Sequence, residues 1–204
     1  MRRFSFVILR RMSKETAMKQ LKNDVLNFEA SPLCIVRKQE GYLSVVGEGS
    51  LDSKIMFIGE APGKNEAKTG KPFYGASGRV LDELLDHISL GRDDVYITNI
   101  LKDRPPANRD PKLEEIEMYT PFLDTQIKII QPQVIATLGR FSMEYIMKKF
   151  NLDEKIETIS KIHGKVFETE KGSIVPLFHP AVAVYNASRK DELKKDFEIL
   201  KRYL

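Results

Sequence analysis

Cysteine is nearly missing from this chain. The single Cys34 among 204 residues excludes an internal disulfide and leaves no set of thiolates for a structural metal. A reducing, cytosolic setting is the expectation. Long apolar runs are missing too. A mean hydropathy of −0.32, with 42% hydrophobic and 30% charged residues, is a globular composition that calls for no lipid phase. The opening residues imitate a secretory signal, because Arg2, Arg3, Arg10 and Arg11 bracket an apolar run from Phe4 to Leu9. That run is too short and no small-residue cleavage site follows, so residues 1–12 are expected to be a start-site extension before Met12 or a disordered basic arm. Repeats, low-complexity tracts and long linkers are also absent, and residues 13–204 are expected to form one domain. No charge sign dominates: 33 Lys and Arg against 29 Asp and Glu leave a net charge of +4, which points to a polyanionic partner only weakly.

What is present is an alternation. Over residues 13–26 the apolar positions Ala17, Leu21, Val25 and Leu26 recur at helical spacing. Four runs that are apolar on both faces follow, at residues 54–59, 94–101, 133–139 and 173–180, and such runs suit a parallel sheet covered by helices. Helical patterns at 78–88, 112–130, 141–150 and 190–204 lie among them, so the expected fold is a three-layer α/β/α sandwich around a central four-stranded parallel sheet. A local antiparallel hairpin is expected between residues 166–168 and 173–177, across Lys171-Gly172. In such sheets ligands gather at the carboxyl ends of the strands, here from Gly59, Asn99 and His179 onward.

Three segments at those ends carry chemistry. The first, Gly59-Glu60-Ala61-Pro62-Gly63 running on to Gly70-Lys71-Pro72-Phe73-Tyr74-Gly75, is a glycine-dense turn that lets backbone approach a planar ligand, with Phe73 as a stacking face. Its plain reading is a β–α connection with Phe73 in the core. A phosphate-binding loop is excluded, because Gly63 and Gly70-Lys71 stand too far apart and Pro72 occupies the place of the magnesium-binding hydroxyl. The second segment is TNILKDRPPANRDP, residues 98–111. An asparagine at its strand end, Asn99, presents a carbonyl and an amide that match the N3–H and O4 edge of uracil and mismatch cytosine. Arg104 and Arg109, in a proline-stiffened loop, are placed to hold phosphates; alternatively Asn99 caps a turn and the loop is only solvated. The third segment runs from Phe178-His179-Pro180 through Val182 and Tyr185 to Arg189 and Lys190. An imidazole there can stabilise a developing oxyanion, and the stretch from Val182 to Tyr185 can replace an extruded base in a stack. A lone histidine is more often a satisfied structural one.

Together and in order, the GEAPG turn, GKPFYGASGRVLDELL, TNILKDRPPANRDP, EEIEMYTPFLDTQIKIIQPQVIATLGR and the terminal FHPA with NASRKDEL resemble the uracil-DNA glycosylase superfamily, specifically its family 4, from about Phe28 to the C-terminus. The resemblance implies a DNA-repair hydrolase that flips uracil out of single-stranded or duplex DNA, acts as a monomer and works in the cytoplasm at the nucleoid. Carried over by position, it implies that Gly59, Glu60 and Ala61 line the uracil pocket, Phe73 stacks on the base, Asn99 reads its edge and His179 faces O2. Arg104, Arg109, Val182, Tyr185, Arg189 and Lys190 would contact DNA.

The chain also departs from the family. Family 4 enzymes usually hold a 4Fe–4S cluster on four cysteines, and the corresponding positions here are Phe28, Ser31, Asp103 and Tyr119. One thiol outside that pattern cannot hold a cluster, so no cofactor is expected, and packing by Phe28 and Tyr119 is expected to take its place. The inserted basic loop of relatives that trap uracil-DNA covalently is absent as well, since Lys102-Asp103 runs directly into Arg104-Pro105. Turnover is the expectation. The place where the superfamily's best-known branch has a water-orienting aspartate is Ala61, which leaves Glu60 and Glu66 as candidates, Glu66 slightly ahead; Glu66 could instead screen out the methyl group of thymine. Two other readings stay open: a catalytically silent single-strand-binding module and a glycosylase for another deaminated base such as hypoxanthine. A nucleotide-hydrolysing enzyme is disfavoured by the missing lysine–serine pair.

Overall fold

Side-chain alternation along the strands sorts the core into two halves. In the computed structural model, which describes residues 12–204, the central strand β2 (Ile55–Gly59) is buried along its whole length. Met56 and Ile58 face one apolar cluster and Ile55 and Phe57 face the other, as the two-residue period of a strand demands. Strands β3 (Tyr96–Asn99), β4 (Val134–Leu138) and β6 (Gly172–Leu177) repeat the pattern. The basic arm expected over residues 1–12 lies, Met12 apart, outside the described residues. Among the described residues no helix is long and apolar enough to cross a membrane.

The sheet runs β1-β3-β2-β4-β6-β5. Its four middle strands are parallel, which is the expected sheet. The correction is at the edges. Strand β1 (Glu48–Gly49) pairs antiparallel with β3, and β5 (Phe167–Thr169) pairs antiparallel with β6, the latter being the expected hairpin. The β1 edge was not foreseen, because a two-residue strand reading Glu-Gly has no periodicity to detect.

Helices cover both faces. On one side lie α1 (Lys14–Leu26), α2 (Pro32–Gln39), α5 (Leu113–Ile130) and α6 (Arg140–Lys149). On the other lie α4 (Ala76–His87) and α9 (Lys190–Phe197). Local chemistry explains their ends. Ser13 caps α1 by accepting the Thr16 N–H, and Ala17, Leu21 and Val25 form its buried stripe. In α5 the Glu115 carboxylate accepts the Lys112 N–H at 2.9 Å, so the first turn is closed by an acid where the helix dipole favours one. Pro121 inside α5 removes the N–H that Glu117 would have received; the Thr120 hydroxyl donates to that carbonyl at 3.3 Å. The C-terminal helix is shorter than expected: α9 ends at Phe197 and tightens to 3-10 geometry over Glu198–Tyr203. Phe197 stacks on Phe57 at 5.6 Å, and burying a phenylalanine fully is worth about 1.5–3 kcal/mol.

The register sets up the site. Gly59 pairs with Asn99 at the carboxyl ends of β2 and β3, and Leu138 pairs with Leu177 across β4 and β6. After β3 the chain crosses to the far side of β2, so the ends of β2, β3 and β4 lie at a switch in strand order, where open α/β sheets bind ligands.

Candidate active site

Gly59 is the point of closest approach. A Cβ there would lie 2.3 Å from Asn99 Oδ1 and 2.7 Å from Phe73 Cζ. Only glycine lets the carboxamide of Asn99 and the ring of Phe73 meet over the end of β2. Asn99 is 2% exposed, yet among the described residues nothing donates to or accepts from its side-chain amide, and neither amide atom is sealed from solvent. A buried polar side chain normally finds partners inside the protein; this one is left for a ligand.

Phe73 is held in an unusual conformation. Its φ is +50°, a left-handed value that costs a non-glycine residue roughly 1–2 kcal/mol. Two charged clamps impose it. Arg92 donates from Nη2 to the Phe73 carbonyl (2.5 Å), from Nη1 to both the Pro72 carbonyl (3.0 Å) and Glu48 (2.6 Å), and from Nε to Asp82 (2.6 Å). On the other side Glu66, in the short helix α3 (Lys64–Thr69), accepts the N–H groups of Tyr74 and Gly75 on Oε1, both at 2.8 Å. Gly78 closes the arrangement, since a Cβ there would fall 1.8 Å from the Phe73 carbonyl oxygen. Strained residues persist where the surroundings over-determine them, often at working sites.

His179 follows β6, and its ring faces Phe73 with centroids 5.5 Å apart and planes at 26°. The ring is packed on the protein side but keeps some surface at a cavity. Burial pushes its pKa down to about 4, so the imidazole is neutral near pH 7. Its tautomer follows from geometry: Nδ1 accepts the Ala181 N–H at 3.1 Å, which leaves the ring hydrogen on Nε2. Of the three histidines, the other two face carboxylates of the C-terminal segment, His87 with Glu198 and His163 with Asp196.

The cavity, about 110 Å³, is walled by Glu60 to Gly63, by the loop from Pro105 to Pro111 and by His179. Glu60 lines it, and Glu66 stands behind the wall at Gly63. Glu60 Oε1 accepts the Phe141 N–H (3.1 Å) at the start of α6, and burial is the main cause of its raised pKa, opposed by that hydrogen bond. Glu66, fixed through Oε1, turns Oε2 toward Gly63, where a Cβ would stand 2.6 Å away. Ala61 is half-buried at the wall, where its methyl packs on the core cluster of α1 and α5.

Of the four cations expected to contact DNA, Arg109 lines the cavity, and all four are engaged within the protein. Arg109 is doubly bonded to Glu115 at 2.9 and 2.5 Å, so it braces the loop. Arg104 binds Asn108 at 2.7 Å and lies over Tyr42. Arg189 pairs with Glu192 and stacks on Phe178, and Lys190 pairs with Glu83. In α8 (Ala181–Tyr185), Tyr185 is 89% exposed and Val184 42%, whereas Val182 packs against the core; the projecting pair is Val184 and Tyr185. Sequence reasoning missed Arg92, whose partners come from three separate segments and leave no local signal.

Phe28, Asp103 and Tyr119 meet beneath α1. The Phe28 and Tyr119 rings pack edge to face at 5.4 Å. Tyr119 donates to Asp103 Oδ2 (2.7 Å), Ser44 donates to Asp103 Oδ1 (2.6 Å), Arg37 donates to Ser44 (2.6 Å), and Arg37 Nε stands 3.4 Å from Asp103. Ser31 caps α2 by accepting the Leu33 N–H and also hydrogen-bonds the Tyr119 side chain. Cys34, the only thiol, receives Arg37 Nη2 at 3.3 Å. This donor set does not fit a cluster that needs four thiolates: the positions are filled by aromatic packing and an ion pair bridged by the Ser44 hydroxyl.

Residues 46–201 match the family model described as the uracil DNA glycosylase superfamily. The chain is 43% identical over 187 residues to a type-4 uracil-DNA glycosylase of Sulfurisphaera tokodaii, covering 89% of this chain and 82% of that protein. It is 46% identical over 166 residues to the type-4 uracil-DNA glycosylase of Saccharolobus solfataricus, covering 79% and 76%. With that of Archaeoglobus fulgidus it shares 44% identity over 158 residues, covering 76% and 78%.

Proposed function

The chain belongs to the uracil DNA glycosylase superfamily, and from that premise we propose that it excises uracil from DNA by hydrolysing the N-glycosidic bond, leaving an abasic site. The observation that carries this is the unpartnered Asn99 carboxamide, 2% exposed, beside a clamped aromatic face and a neutral histidine. A base flipped into the site stacks on Phe73 and offers its N3–H and O4 to Asn99. As the bond breaks, the sugar gains oxocarbenium character and the base gains negative charge. The Nε2–H of His179 donates to O2, an interaction stronger in the transition state than before it. A neutral donor needs no proton transfer to do this.

Of the two glutamates, Glu66 suits the water. Its carboxylate is fixed through Oε1 by two amides and turns Oε2 toward a residue of the cavity wall, so it can orient a nucleophile and offset the sugar's positive charge. Glu60, whose pKa burial raises, shapes the wall beside Gly59 and Ala61. Tyr185, with Val184, enters the space vacated by the base, and Arg104, Arg109, Arg189 and Lys190 meet the backbone on either side. Weak surface ion pairs such as those of Arg189 and Lys190 open readily for a phosphate.

The protein works as a monomer on single-stranded and duplex DNA, in the cytoplasm at the nucleoid, with residues 13–204 as one domain. Every proposed group comes from one chain. It works without a 4Fe–4S cluster, which the single thiol and the Asp103 network support; anaerobically purified protein is expected to be colourless, and stoichiometric iron would overturn this. The test of function is incubation with single-stranded, U:G, U:A, hypoxanthine and T:G oligonucleotides without added metal, followed by alkali cleavage. Uracil release is the expected result. Folded protein that bound every uracil substrate and released none would be a silent binding module instead.

A further inference from the structure

Directly behind Asn99 lies a buried lysine that the reaction above does not use. Lys102 is 0% exposed. Its Nζ contacts Thr98 Oγ1 (2.8 Å), the Asn99 carbonyl oxygen (2.6 Å) and Gln126 Oε1 (2.7 Å). Counting hydrogens favours the charged state. The Thr98 hydroxyl hydrogen points to the Val46 carbonyl at 2.7 Å, so Oγ1 can only accept from Lys102. Gln126 spends its amide hydrogens on Val46 (2.8 Å) and Tyr96 (3.0 Å), which turns its oxygen to Lys102. A carbonyl oxygen only accepts. Three acceptors therefore require three hydrogens on Nζ; a neutral amine supplies two and would aim its lone pair at an oxygen. Burial alone lowers the proton affinity of Lys102 strongly, and the three acceptors oppose it.

Among the described residues no carboxylate lies within ion-pair distance of this nitrogen. Asp103, the next residue, is turned to Tyr119, Ser44 and Arg37. Its partners are neutral dipoles alone, one of them the peptide carbonyl of the residue proposed to read the base.

We propose that Lys102 is a positioning residue for uracil excision: a buried ammonium that fixes Asn99 from behind and places an uncompensated positive charge beneath the base as it leaves as an anion. This rests on the uracil-excision reading. In a low-dielectric interior a fixed charge of this kind acts without reorganisation at the moment of reaction.

Two measurements test it. Lysine ε-¹⁵N NMR of the unmodified protein near neutral pH should show one buried, slowly exchanging Nζ bearing three hydrogens; two hydrogens would overturn the proposal. Lys102→Met removes the charge and keeps the length. Its single-turnover excision of uracil should slow by about tenfold or more, the scale on which one preorganised charge or donor acts, with DNA affinity nearly unchanged. Excision of 5-fluorouracil, a better leaving group that depends less on stabilisation of its anion, should slow by clearly less. Equal slowing of both bases in folded protein would mark a merely structural lysine and sink the inference. Should that variant not fold, Gln126→Glu sets a carboxylate against the ammonium and is expected to give the same uracil-selective loss. Unmodified protein that releases neither base would fail the functional reading itself, a result distinct from all of these.

Discussion

Asn99 and Asp103 stand four positions apart, and both are buried, at 2% and 1% exposure. Asp103 has both carboxylate oxygens engaged, by Ser44, Tyr119 and Arg37. Asn99 has no partner for its carboxamide among the described residues. The first is a polar group absorbed by the fold, the second a polar group the fold withholds from itself. A satisfied buried network rigidifies, while a polar side chain left without an internal partner keeps its hydrogen-bonding capacity for a ligand. The contrast separates architecture from recognition within one short stretch of chain.

The largest expected effect strikes the architectural side. Asp103→Ala strands the Arg37 guanidinium and should lose about 3–5 kcal/mol in urea denaturation, as for other broken buried pairs, while the folded fraction keeps most of its excision rate. Asn99→Ala should do the reverse. Under single-turnover conditions it and His179→Ala should each slow uracil release by about a hundred- to a thousandfold, with little change in stability for Asn99→Ala, since no internal hydrogen bond is lost. Comparable stability losses in both Asn99→Ala and Asp103→Ala would erase the distinction.

Glu66 sharpens it, because one side chain is proposed to serve both purposes. Glu66→Gln keeps an oxygen for the amides of Tyr74 and Gly75 but removes the charge, so folding should hold and the rate should fall by about tenfold or more. Glu66→Ala should cost stability as well, by about 1–3 kcal/mol for the abandoned buried amides. Smaller still is the rim: Arg189→Ala with Lys190→Ala should flatten the dependence of DNA binding on salt by about two phosphate contacts. Arg109→Ala should flatten it less, because Arg109 is held by Glu115.

The smallest effect expected is that of pH near neutrality, through the titration of His179. With a folded pKa of about 4 against 6.5, its stabilising contribution is complete above pH 6.5 and is lost as the pH falls toward 4, where the unfolded chain binds the proton first. Imidazole ¹⁵N spectra should show an Nε2–H tautomer that does not titrate from about pH 5 to 8, the interval where an ordinary histidine does.

Much of this was legible in the chain. The four parallel strands announced themselves because residues on both faces are apolar, and the site motifs because their residues follow strand ends. Where sequence fell short, the reason is distance. Arg92 acts through Glu48, Phe73 and Asp82, and Lys102 through Gln126; neither pattern exists until the fold closes. Arg109 was expected to hold phosphate, and its tie to Glu115 six residues on crosses a turn that no periodicity reveals. Helix α3 escaped notice because six residues, Lys64–Thr69, are too few to show an apolar stripe. The place of the absent thiolates was assigned to packing by Phe28 and Tyr119. That packing is present, but the polar half, Arg37 and Ser44 closing on Asp103, was invisible in a linear reading.

Tyr185 has an optical consequence. The chain contains no tryptophan, and this tyrosine, 89% exposed at the tip of α8, packs on no aromatic ring among the described residues. Tyr185→Trp would therefore install a solitary indole at the tip proposed to replace the flipped base. Its emission could be followed by stopped flow without any label on the nucleic acid, timing the entry of that tip separately from the bond cleavage that follows.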